Sequence, residues 1–83
     1  MQGFAIVVAS RGFVYVGDIT HDGKWCVIKN AKNIRRWGTT SGLGEIAANG
    51  PTDETNLDDY GTVRVPAHSV ISLIDADKEK WNA

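Results

Sequence analysis

The sequence predicts a mainly β protein, built as a small, strongly bent antiparallel sheet or barrel with one short helix inserted before the last strands. Three observations predict this fold class. Short runs of apolar and β-branched residues recur along the chain, glycine-containing turn sequences separate them, and only one stretch has helical spacing. With 83 residues, of which 42% are apolar, the chain is long enough for one compact domain over residues 1–83 and too short for two.

The first part of the chain predicts two successive hairpins. Residues 4–9 (FAIVVA) have the composition of a buried strand, and residues 13–19 (FVYVGDI) follow after a short connection, so we expect antiparallel pairing. Gly17 inside the second run indicates a bulge or a sharp bend. The Asp22-Gly23 pair is typical of a tight hairpin turn, because both residues adopt positive φ readily. A third strand is therefore expected over residues 25–29.

The middle of the chain contains the predicted helix. Apolar spacing resumes at Ile34 and Trp37, so we expect the third strand to continue past an irregularity and to end at Gly38. The apolar residues at 43, 46 and 47 then fall at i, i+3 and i+4, which predicts about two turns of helix. Thr40 and Ser41 precede this stretch as candidate N-caps, and Asn-Gly-Pro follows it as a stop.

The last third of the chain predicts a loop, two strands and a tail. Residues 51–61 are polar and acidic without apolar periodicity, which predicts a surface loop. Residues 62–65 and 69–75 have the pattern of strands, and Pro66 interrupts hydrogen bonding between them. The tail is polar except for Trp81, which we expect either to pack on the domain or to contact another subunit.

Two segments resemble a known architecture. The order of strand, glycine-bent strand, Asp-Gly hairpin and strand in RGFVYVGDITHDGKWCVIKNA (residues 11–31) resembles the first half of a small Sm-like or SH3-like barrel. The segment VRVPAHSVISLI (residues 63–74) can serve as its final strand pair. An Sm-like barrel usually carries its helix at the start, whereas this chain has its predicted helix in the middle. The resemblance therefore implies a barrel-like architecture and does not imply RNA binding.

A second resemblance covers residues 4–81. Three segments carry it in order: KNAKNIRRW (29–37), LGEIAANGP (43–51) and SVISLI (69–74). In this arrangement they resemble a family of small phage and prophage proteins of uncharacterised function. The resemblance implies a phage or prophage origin and action in the cytoplasm of a bacterial host, and it supplies no catalytic residues.

Composition predicts a cytoplasmic protein with no membrane segment. The single cysteine, Cys26, cannot form an internal disulfide, and the longest apolar run is far shorter than the roughly 20 residues that span a bilayer. The net charge of −1 argues against a surface built wholly for DNA. Because a domain of this size buries only a modest fraction of its surface, we also expect a homo-oligomer.

The residue types that catalysis requires do not form a recognisable set. His21 falls in a predicted turn and His68 at a strand junction, while Cys26 lies within a strand, where a small buried cysteine acts as apolar filler. No metal-ligand spacing is present, and the acids of residues 51–61 lack the glycine-centred spacing of a calcium loop. We therefore expect a non-enzymatic protein without a metal or a cofactor.

The strongest candidate for ligand binding begins at Lys29. Guanidinium groups such as those of Arg35 and Arg36 bind phosphate through forked hydrogen bonds, and Trp37 offers a flat face for a base. A hydroxyl-rich and glycine-rich loop then leads to a helix N-terminus, which favours an anion. The predicted ligand-binding residues are Lys29, Lys32, Arg35, Arg36, Trp37, Thr39, Thr40 and Ser41.

A structural interpretation of the same stretch stays open. In that interpretation Arg35 and Arg36 pair with the acidic segment, Trp37 is a core aromatic, and the glycines only permit the turn into the helix. The leading hypothesis remains an oligomeric protein that sequesters a small phosphorylated ligand, such as a nucleotide or a cyclic nucleotide signal of host defence. The alternatives are a single-stranded nucleic-acid binder on an Sm-like scaffold and a protein-interaction module that inhibits or recruits a host factor.

Overall fold

The protein is mainly β, as the sequence predicts. A computed structural model describes residues 2–36 and 42–81. Its strands are β1 (Gln2–Ala9), β2 (Val14–His21), β3 (Trp25–Arg36), β4 (Asn56–Pro66) and β5 (Val70–Asp75). They form one antiparallel sheet in the order β4-β3-β2-β1-β5.

Short helical segments connect the strands. Helix α1 (Leu43–Asn49) lies between β3 and β4, where the sequence predicts it, and helix α2 (Lys78–Trp81) follows β5. Two 3-10 turns, Ser10–Gly12 and Ala67–Ser69, connect β1 to β2 and β4 to β5. Within the described ranges, none of these helices has the length and apolar character needed to cross a membrane.

Gly17 permits a close approach between β2 and β3. The register of the two strands shifts between Val16 and Asp18, where β3 contains one additional residue. A Cβ atom on Gly17 would lie 2.8 Å from both the Ile28 Cγ2 atom and the Lys29 carbonyl oxygen. Only a residue without a side chain fits there, so the bulge predicted at Gly17 is confirmed.

The prediction of a surface loop over residues 51–61 is wrong for the second half of this segment. β4 begins at Asn56, which pairs with Arg36, and continues through Asp58 and Asp59 opposite Asn33 and Lys32. This part of β4 is polar because much of it is exposed, so it lacks the apolar alternation that marks a half-buried strand. Its pairing partners lie on β3, and a local sequence pattern does not report them.

The sheet bends until its two edge strands approach one another. Val65 from β4 belongs to a buried cluster that Val70 and Leu73 from β5 also contact. Over the residues that the structure describes, β4 and β5 do not pair, so the sheet is open and does not close into a barrel. The two 3-10 turns lie at this opening.

The opposite face of the sheet is covered by the two helices. Ile6 and Val16 from the sheet form a buried cluster with Ile46 of α1 and Trp81 of α2. Trp81 therefore packs on its own domain, which is the first of the two alternatives that the sequence left open. Pro66 also behaves as predicted, because β4 ends at this residue.

Candidate functional site

Four of the predicted ligand-binding residues lie on β3. Lys29, Arg35 and Arg36 are exposed there, and Lys32 is half-buried. The other four, Trp37, Thr39, Thr40 and Ser41, lie outside the described residues, as do the two candidate N-caps among them. The arrangement predicted around Trp37 therefore stays a prediction.

The two arginines of β3 contact carboxylates. Arg35 Nε lies 2.6 Å from Asp58 Oδ2, and Arg36 Nη2 lies 3.6 Å from Glu54 Oε2. This confirms the pairing with the acidic segment that the structural interpretation expected. Both arginines and Glu54 are well exposed and the Asp58 side chain is 39% exposed, so each ion pair contributes little to stability and neutralises the surface locally. A role of the arginines in ligand binding stays a prediction.

A cavity of about 520 Å³ lies beside α2 on the helix-covered face of the sheet, and we call it the α2 cavity. Its apolar wall consists of Phe4, Val16, Ala31 and Trp81. Lys32 also lines it and is the one predicted site residue of β3 that does so. The volume and the partly apolar lining match the range seen in small-molecule sites.

Two ion pairs form the rim of the α2 cavity. Lys32 Nζ lies 2.8 Å from Asp59 Oδ1, and Lys78 Nζ lies 2.9 Å from Asp18 Oδ1. The Asp59 side chain is 86% exposed, so it can rotate away from Lys32 without leaving a buried charge behind. The rim thus presents two ammonium groups whose present partners are solvent-accessible carboxylates.

Backbone contacts hold α2 against the rest of the cavity wall. The Ala76 N–H donates to the Phe4 carbonyl oxygen at 3.1 Å, and the Asp77 N–H donates to the Ala47 carbonyl oxygen at 2.9 Å. Gly50, at a φ of 85°, lies directly against the Lys80 carbonyl group and leaves no room for a Cβ atom. These contacts fix the position of Lys78 and Trp81 over the sheet.

Trp81 carries an unusual polar atom. The residue is only 7% exposed, and within residues 2–36 and 42–81 its buried Nε1 donor has no hydrogen-bond acceptor. A buried donor without an acceptor costs about 1–3 kcal/mol, so such groups are rare in folded proteins. The indole N–H is therefore an unsatisfied buried donor in a residue that lines the α2 cavity.

Sequence reasoning missed most of this site. Phe4 and Asp18 lie in the first two predicted strands, which carry no predicted site residue, and Lys78 lies in the polar tail, where no helix is predicted. One signal was available: Lys78 and Trp81 are three residues apart, a spacing that places both side chains on one side of a helical turn. Their approach to Lys32 depends on the sheet topology.

The candidate catalytic residues lie away from the cavity. His21 ends β2, His68 is exposed in the second 3-10 turn, and Cys26 is fully buried. Burial raises the pKa of the Cys26 thiol, which disfavours the thiolate that a nucleophile requires. Among the described residues, no group of three or more His, Cys, Asp or Glu side chains converges on a metal position.

Comparison with known proteins finds no match. No protein-family model, no curated protein and no solved structure is significantly similar to the chain. The resemblance to small phage proteins therefore stays an inference from sequence segments.

Proposed function

We propose that this protein binds a small phosphorylated ligand of nucleotide size in the α2 cavity. The observation that carries the proposal is the combination, in one cavity, of two lysine ammonium groups with an apolar and aromatic wall. A nucleotide has the matching division into an anionic part and a planar, weakly polar part. Lys32 and Lys78 would contact the phosphate, and Phe4 and Trp81 would contact the base or sugar.

The ion pairs on the rim are compatible with anion binding. Exposed ion pairs of this kind are worth about 0–1 kcal/mol, so a phosphate can replace Asp59 or Asp18 at little cost. Hydrogen bonds between an ammonium group and a phosphate are charge-assisted and roughly twice as strong as neutral ones. The lysine–carboxylate contacts that are replaced are charge-assisted as well, so the exchange favours only a ligand that carries more negative charge than a single carboxylate.

The proposed role is sequestration without turnover. The residues considered as catalytic candidates from the sequence, the two histidines and Cys26, do not line the α2 cavity and so do not lie beside a ligand bound there. A phage-encoded protein that captures a nucleotide signal of bacterial defence fits such a role. Self-association is part of the proposal, and it is supported by apolar side chains left at the surface, such as Ile71, which is 67% exposed.

Thermal denaturation with a nucleotide panel tests the proposal. Nucleoside monophosphates, diphosphates and cyclic nucleotides are compared with the matching nucleosides and with inorganic phosphate. At a hundredfold excess over Kd, a bound ligand stabilises a protein by about 2.7 kcal/mol, which raises the Tm of a small domain by roughly 10–20 °C. Unchanged Tm values with every nucleotide would overturn the proposal, and native mass spectrometry of the same samples reports the subunit number.

Two charge-matched double variants locate the site. K32Q/K78Q removes both rim cations while retaining long side chains, and R35Q/R36Q removes two cations from the neighbouring part of β3. We expect the nucleotide-induced Tm shift to disappear in K32Q/K78Q and to persist in R35Q/R36Q. The opposite result would place the ligand at the basic stretch around Arg35 and would overturn the assignment to the α2 cavity.

The single-stranded nucleic-acid alternative predicts a different dependence on salt. A chain that contacts many phosphates releases many counterions, so its affinity falls steeply as salt is raised. A mononucleotide held by two lysines shows a shallow dependence. Titration of an oligonucleotide and of the best mononucleotide at several salt concentrations therefore separates the two functions.

A further inference from the structure

A second concave surface lies at the opening of the sheet, on the side away from α2. A groove of about 230 Å³ there, which we call the edge groove, is lined by Arg11, Phe13, Tyr15 and by residues 63–66 of β4. Side chains alternate between the two faces of a strand, and four consecutive residues of β4 line this groove, so both faces of the strand border it. The edge groove therefore runs along the backbone of β4.

This edge of β4 is free to pair with another chain. β3 occupies one side of β4, and within the described residues no strand occupies the other. Alternate N–H and C=O groups of an edge strand point away from the sheet and can accept an additional strand. The groove beside residues 63–66 gives such a strand access to these backbone groups.

Aromatic side chains extend the groove. Phe13 is 50% exposed and Tyr60 is 51% exposed, although both are large and mostly apolar. Tyr15 connects them: its ring centroid lies 6.3 Å from that of Phe13 and 6.0 Å from that of Tyr60. Aromatic anchors of this kind dominate the energetics of protein interfaces.

The charge of the groove specifies the partner. Arg11 and Arg64 both line it, and neither makes an ion pair within the described part of the chain. No Asp or Glu residue is among its lining residues. By contrast, Lys32, Lys78 and the two arginines of β3 each contact a carboxylate. The edge groove is thus a cationic surface that has no carboxylate side chain among its lining residues.

We propose that the edge groove binds an extended acidic peptide segment of a partner protein, which pairs with β4 as a sixth strand. The free backbone edge distinguishes a peptide from a nucleic acid, because only another main chain completes the strand ladder. Acidic side chains of the peptide contact Arg11 and Arg64, and its apolar side chains contact Phe13 and Tyr15. This surface is separate from the α2 cavity, so the proposal stands independently of nucleotide binding.

Selection from a library of random short peptides, with the intact protein as bait, tests the proposal. We expect the selected sequences to alternate apolar residues with Asp or Glu. A representative synthetic peptide should bind R11Q/R64Q at least about tenfold more weakly than the unmodified protein. The control K24Q/K80Q removes the same charge from exposed positions outside the groove and should bind normally.

Backbone methylation tests the strand pairing itself. A copy of the peptide with alternate backbone nitrogens methylated on one edge retains every side chain but loses half of its ladder donors. We expect about a tenfold loss of affinity for methylation on one edge and little change for the other. Failure to select acidic peptides, equal binding by R11Q/R64Q, indifference to methylation on both edges, or tighter binding of a single-stranded oligonucleotide would each overturn the proposal.

Discussion

The α2 cavity and the edge groove differ in how the chain uses its cations. In the α2 cavity, Lys32 and Lys78 already contact carboxylates, so a ligand must exchange one anion for another. In the edge groove, Arg11 and Arg64 have no ion-pair partner among the described residues, so a ligand adds an interaction without removing one. The comparison shows that a list of basic residues does not locate a binding surface. The position of the acids decides which cations remain available.

The aromatic residues of the two surfaces differ in the same way. Trp81 is 7% exposed and belongs to a buried cluster, whereas Phe13 is 50% exposed. We expect Trp81→Ala to lower the free energy of unfolding by about 3 kcal/mol, because truncation of a buried aromatic leaves a large void. Phe13→Ala should cost less than about 1 kcal/mol. Urea unfolding of both variants measures the difference, and equal losses would show that Phe13 is a core residue.

A substitution at Gly17 tests whether the close approach of β2 and β3 beside the α2 cavity is required for stability. Gly17→Ala places a Cβ atom 2.8 Å from the Lys29 carbonyl oxygen, beside the bulge whose residues Asn30 and Ala31 line the cavity. We expect a loss of about 2 kcal/mol in unfolding free energy, because backbone atoms must shift to accommodate the methyl group. Gly3→Ala is the matched control, since Gly3 is also in a strand and has open space around it. If both variants unfold at the same urea concentration, the close approach at Gly17 is not required.

Substitution of Arg11, at the edge groove, and of Asn30, at the α2 cavity, measures the cost of backbone strain at each surface. Both have positive φ, 65° for Arg11 and 53° for Asn30, but asparagine tolerates this region better than arginine. Arg11→Gly should therefore raise the free energy of unfolding by about 1 kcal/mol, and Asn30→Gly by less. The same Arg11→Gly variant should bind the selected acidic peptide more weakly. A stability gain without loss of peptide binding would remove Arg11 from the proposed edge-groove interaction.

The turn between β2 and β3 provides a reference, because residues 22–24 line neither the α2 cavity nor the edge groove. Hydrogen bonds from the backbone N–H of Trp25 (2.8 Å) and of Lys24 (2.7 Å) lower the pKa of the Asp22 carboxyl. Because the folded-state pKa is lowered, the stabilisation is present above the ordinary carboxyl pKa and is lost as the pH falls through the folded-state value.

Asp22→Ala measures this contribution. The unmodified protein should have a slightly higher Tm than the variant at neutral pH, and the difference should shrink as the solution is acidified through the carboxyl range. Ligand and peptide binding should be unaffected. A Tm difference that is independent of pH would show that the Asp22 carboxylate does not stabilise the turn.

Most of the fold could be predicted because its signals are local. The apolar runs of β1 and β2, the Asp-Gly turn and the helical spacing of α1 each lie within a few residues of one another. The first half of β4 was missed because its exposed polar residues are stabilised by pairing with β3, for example Asp59 with Lys32. That partner lies far away in the sequence, and no local pattern reports it.

The candidate sites depended still more on distant contacts. The pairing of Arg35 and Arg36 with the acidic residues 51–61 was one of two interpretations that the sequence left open, and the alignment of β3 with the acidic segment confirms the contacts. Arg11 and Arg64 are isolated in the sequence, and the sheet opening brings both to one groove. The connection of Phe13 and Tyr15 was partly predictable, since residues two apart on a strand share a face.

The position of β5 has a consequence for the order in which the protein folds. β5 pairs with β1, Ile6 opposite Ile74, so this contact closes nearly the whole chain, whereas the β1–β2 and β2–β3 hairpins close short loops. Contacts between distant residues form slowly, and we expect β5 to dock after the hairpins. That step completes the wall provided by α2, whereas residues 63–66 of the edge groove come into place when β4 pairs with β3. An intermediate that contains only the three-stranded meander therefore has neither binding surface, and ligand capture begins only with the fully folded chain.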